Sequence, residues 1–90
     1  METASGGSVN GQVVSKTAGR PVPGATISIV RGAGPYPDIA PMTDEGGRFF
    51  LDGLAAGEWV LAAYGPDGSH GQGRITVADG FAATVIIHVG

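Results

Sequence analysis

Asp67, Ser69 and His70 put a carboxylate, a hydroxyl and an imidazole into one short stretch of the chain. Those three groups form a hydrolytic triad when the imidazole takes the hydroxyl proton and the carboxylate orients the imidazole. Here they are near neighbours in one glycine-rich loop, with nothing rigid to hold base against nucleophile. The stretch therefore reads as a solvated turn. His70 and His88, with Asp67 or Asp79, are metal-ligand types, but their spacing matches no zinc pattern. Asp38, Asp44, Glu45 and Asp52 offer oxygens suited to calcium, yet no run of alternating carboxylates makes a calcium loop. The inventory assigns no catalytic residue, no cofactor-binding residue and no metal ligand. The chain is read as non-enzymatic.

The elements that would carry these residues are short and β-rich. Seventeen glycines and six prolines interrupt any helical ladder, and no window free of them shows an apolar period of 3.6. Period-two runs recur instead, each closed by a glycine or proline turn. They fall at Val9–Ser15, Ala25–Arg31, Arg48–Leu51, Glu58–Tyr64, Arg74–Val77 and Phe81–Val89, with a brief pairing segment at Ile39–Thr43. Residues Gly65–Gly73 read as a polar loop around the Pro66–Asp67–Gly68 turn. Seven short strands at this spacing imply an all-β, antiparallel sandwich, because one open sheet of this size leaves an apolar face wet.

Alternation then assigns faces. If Ile27, Ile29, Phe49, Leu51, Trp59, Leu61, Val85 and Ile87 point inward, Val14, Val30, Phe50, Val60, Tyr64 and Ile86 point out. Apolar residues exposed singly need no explanation, whereas a contiguous patch marks an interface. Tyr36, between Pro35 and Pro37, is a second candidate, since prolines can hold an aromatic ring out for recognition. The candidate interaction surface is thus Tyr36, Phe50, Val60, Tyr64 and Ile86.

Composition bounds the partners. A chain of 90 residues holds one domain, read as 8–90 behind a flexible N-terminus at 1–7. The net charge is −3, and Lys16, Arg20, Arg31, Arg48 and Arg74 are scattered singly. Nucleic-acid binding needs clustered cations, so it is set aside. The longest apolar runs fall far below the ~20 residues of a membrane helix. There is no cysteine, and Met1–Gly7 has neither the basic nor the apolar region of a signal peptide. As written the chain reads as cytoplasmic unless it is a fragment of an exported protein, and its compartment stays unassigned.

Four stretches in order carry a resemblance: Gly11–x–Val13, Gly19–Arg20–Pro21–Val22–Pro23–Gly24–Ala25, Thr43–Asp44–Glu45–Gly46–Gly47–Arg48–Phe49, and Gly53–Leu54–Ala55–Ala56–Gly57–Glu58–Trp59. Together they resemble the carboxypeptidase regulatory-like domain. The resemblance implies a transthyretin-like, prealbumin-type Greek-key sandwich of seven strands and a mostly non-catalytic role. One enzyme of that fold class, the 5-hydroxyisourate hydrolase, carries a Tyr-Arg-Gly-Ser ending that Ile86–Gly90 lacks. Related surface modules make lysine–asparagine isopeptide cross-links, but Lys16 is the only lysine and parity places it on the face of Asn10 and Gln12. The expectation is a binding or structural module for a protein partner or its own copy. The alternative is a small-ligand or carbohydrate-binding accessory domain, with Tyr36, Phe50 and Tyr64 as stacking surfaces.

Overall fold

The computed structural model describes residues 6–34, 36 and 40–90. Six strands form: β1 Gly7–Ser15, β2 Thr26–Arg31, β3 Arg48–Leu54, β4 Gly57–Tyr64, β5 His70–Val77 and β6 Ala82–Val89. They make two three-stranded sheets, ordered β3-β1-β6 and β2-β4-β5. Every residue with an inward apolar side chain contributes to the single layer between them, where Val9, Val13, Ile27, Trp59, Leu61, Val77 and Ile87 are fully buried. Alternation on β1 runs as the sequence predicts, with Val9, Gly11 and Val13 buried and Asn10 exposed.

Three features differ from the expectation. The seventh strand is absent among the described residues. Ile27 N–H donates to Pro41 O at 2.8 Å, Thr43 N–H donates to Ala25 O at 2.8 Å, and Met42 makes one isolated bridge to Thr26. A proline in this segment removes a ladder donor, so it caps the edge of β2 without extending the sheet; Ile39 lies outside the described residues. Second, β1 and β6 pair in parallel, from Ser8 opposite Ala82 to Ser15 opposite Val89. Parallel neighbours need a long crossover, and here nearly the whole chain intervenes. Third, the loop read over Gly65–Gly73 ends early, because β5 already pairs with β4 from His70 opposite Tyr64 onward. At the start of β1, Gly6 N–H donates to Asp79 Oδ1 at 2.6 Å.

Glycine makes the close packing possible. Gly71 on β5 faces the backbone of β6, where an added Cβ would overlap the His88 carbonyl oxygen. The two edge strands therefore approach on that side, and Gly90 N–H reaches His70 O at 3.2 Å. On the other layer Gly11 lies under the Phe49 ring, which occupies the space a side chain would need. Trp59 is fully buried, and its indole N–H donates to Ala55 O at 2.8 Å, so the ring's one polar atom is satisfied.

Candidate interaction surface

β1 is the middle strand of its sheet, and it aligns β3 and β6 on either side. Asn10 stands between Phe50 and Thr84, and Gln12 between Arg48 and Ile86. Paired residues share a face, so Phe50 and Ile86 project from the same outer surface. They are 55% and 53% exposed. Both sit on edge strands, where only one neighbouring strand can cover an outward side chain. A shallow groove of about 190 Å³ lies on this face beside Ile86, walled by Asn10, Gln12, Arg48, Thr84 and Ile86. Gln12 Nε2 donates to Gly46 O at 2.9 Å, which holds the middle of this face to the β2–β3 connection.

Val60 does not belong to any surface. It is 8% exposed, so its outward direction does not bring it to solvent as the surface reading expected. Its side chain does point away from the core, but β4 is the middle strand of the other sheet. Arg31 and Arg74 are its register partners on the two sides, and arginine stems cover apolar neighbours while their heads stay in water. Ala62, two residues on, is likewise buried, between Ser28 and Gln72. Tyr64 is 51% exposed at the end of β4, on the outer face opposite to that of Phe50 and Ile86. Tyr36 is a third location. Its ring stands edge-on to Trp59 with centroids 5.9 Å apart and an interplanar angle of 75°, and it remains 45% exposed. The five candidates therefore do not form one patch: Phe50 and Ile86 share a face, Tyr64 and Tyr36 stand elsewhere, and Val60 is buried.

Asp44, Asp52, Asp67 and Ser69 all make hydrogen bonds within their own turns. Ser69 Oγ–H and Ser69 N–H both donate to Asp67 Oδ1, at 2.7 and 3.1 Å. These bonds stabilise the ionised carboxylate and hold the Asp67 carboxyl below its ordinary value, the Ser69 hydroxyl contributing most. The hydroxyl proton points at the carboxylate and not at an imidazole, and His70 lies on the exposed face of β5. Asp44 Oδ1 accepts from Gly46 N–H and Arg48 N–H, each at 2.9 Å, and Asp52 Oδ1 from Gly53 N–H at 2.9 Å. Asp38 lies outside the described residues. Among the described residues no three histidine, aspartate or glutamate side chains converge. Lys16 is exposed in the turn after β1, beyond the exposed Asn10.

One polar residue escaped the sequence reading. Thr43 is the only buried polar side chain of the described residues. Its hydroxyl donates to Val22 O at 2.6 Å and accepts from Ala25 N–H at 2.8 Å. It fastens the Pro21–Ala25 bend to the edge of β2. A lone threonine before a turn gives no signal of this, because both partners are some twenty residues upstream.

Two stacked sheets, an aromatic-anchored core and polar groups absorbed by turns define a small all-β module. Residues 8–90 match the carboxypeptidase regulatory-like domain, and the chain belongs to that family. No curated protein matches it. Among solved structures it is similar to the Bacillus anthracis TIE protein, with a TM-score of 0.68 and 18% identity. That likeness covers 94% of this chain and 16% of the other, so the chain spans about a sixth of its structural neighbour. At this identity the likeness speaks for the fold.

Proposed function

We propose that the domain is a non-catalytic binding module that meets a protein partner, or its own copy, through the outer face of the β3-β1-β6 sheet. The observation that supports this is the placement of Phe50 and Ile86 on one face, each more than half exposed and flanking Gln12 and Asn10. Large apolar side chains in a polar surround are the usual anchors of a protein interface. The carbohydrate reading has less support, since Phe50 and Tyr64 stand on the outer faces of opposite sheets and Tyr36 packs edge-on to Trp59.

Sedimentation at rising protein concentration tests the self-associating form. Wild type should gain mass, and the Phe50→Asp/Ile86→Asp variant should remain a monomer with an unchanged Tm. A wild type that stays monomeric moves the test to a binding partner, where the same double variant should lose binding. Association that survives both charges would remove this face from consideration.

A further inference from the structure

The end of the sandwich opposite the β5–β6 turn holds a cleft of about 470 Å³ that the interaction face does not use. This volume lies within the usual range for a binding pocket, about 300–1,000 Å³. Pro21, Val22, Pro23, Pro66 and Val89 give it an aliphatic wall with no aromatic ring. Asp67 is the one charged side chain in the lining.

The carboxylate is preset by its turn. Both Ser69 bonds fall on Oδ1, so Oδ2 has no side-chain partner among the described residues. The one ion pair among those residues is Arg74 to Glu58, at 3.6 Å on the exposed face of the β2-β4-β5 sheet. Lys16 passes beside Gly90 at the cleft mouth and makes no ion pair with Asp67. An aliphatic wall with one carboxylate in its lining complements an aliphatic stem ending in a cation. A guanidinium prefers two parallel bonds to both oxygens of a carboxylate. With Oδ1 taken, that fork is unavailable, and a single ammonium is the better match.

We infer that this cleft receives a lysine side chain of a protein partner, its stem along Pro21, Pro23 and Pro66 and its ammonium on Asp67 Oδ2. One side chain against an exposed acid gives weak binding, with a Kd on the order of 1 mM.

The test is an amide-shift titration of the full chain, labelled with nitrogen-15, against three end-capped tripeptides with central lysine, arginine or norleucine. The lysine peptide should produce saturable shifts at Val22, Gly65, Gly68 and Ser69. The norleucine peptide should bind about 1.5- to fivefold more weakly, the range expected for an exposed ion pair. Asp67→Asn retains an oxygen for Ser69 while removing the charge, and it should erase the preference for lysine over norleucine. Ser69→Ala removes the shorter of the two bonds to Oδ1, leaving only the backbone N–H there, and should raise the arginine peptide relative to lysine. Equal binding of the lysine and norleucine peptides to the wild type overturns the inference without recourse to any variant. So does the absence of saturable shifts, or a lysine preference that persists in Asp67→Asn.

Discussion

Thr43 and Asp67 show how single polar groups are used in this domain. Thr43 Oγ1 is buried and both donates and accepts, so replacing it with valine leaves the Ala25 N–H and the Val22 carbonyl without their partner. Thr43→Val should cost about 1–3 kcal/mol, read as a lower denaturant midpoint at constant m-value. Asp67 is a solvent-facing counterpart. Its folded carboxyl titrates below the unfolded value, so the turn gains stability above the unfolded value, and loses it as pH falls through the folded one. Ser69→Ala removes the largest cause, and carbon-detected titration should show the Asp67 carboxyl moving up toward its ordinary value. A curve indistinguishable from wild type would refute the hydrogen-bond account. The turn itself was legible as Pro66–Asp67–Gly68, whereas the Thr43 clasp depends on groups from a distant segment.

At the scale of elements, the approach of β5 to β6 is the sharpest constraint. A Cβ at Gly71 meets the His88 carbonyl, which is backbone and cannot rotate away, while one at Gly73 meets the Ile87 and Val85 side chains at 3.0 and 3.2 Å. Gly71→Ala should therefore destabilise more than Gly73→Ala, with the former costing about 1–3 kcal/mol as an overpacking change. Thermal unfolding of the two variants checks the order, and a reversed order would mean that the strands separate freely here. Position within a sheet also decides exposure. Val60 and Phe50 are both outward residues on alternating strands, but β4 has a neighbour on each side and β3 has β1 on one. Alternation finds the face and says nothing about the neighbours. That is why Phe50 and Ile86 stand exposed, whereas Val60, facing outward as alternation expects, is covered.

For the whole molecule, Trp59 is the centre of a small core, fully buried with its N–H bound to Ala55 O. A large-to-small change at such a site costs about 3–5 kcal/mol. Small domains have total stabilities of about 5–15 kcal/mol, so Trp59→Ala should leave the chain largely or wholly unfolded at 37 °C, seen as lost amide dispersion. The sequence by itself determined the all-β class, the inward set around Trp59 and Phe49, the turns and the family, because period-two patterning and turn chemistry are local properties of the chain. Tertiary structure alone decided the six strands, the parallel pairing of β1 with β6 and the division of the outward residues between two faces. It also brought Pro21, Pro23 and Pro66 together around Asp67. Each of these depends on which distant segment a strand or loop meets, and that choice is made by the packing of the whole core, which no short window of residues contains.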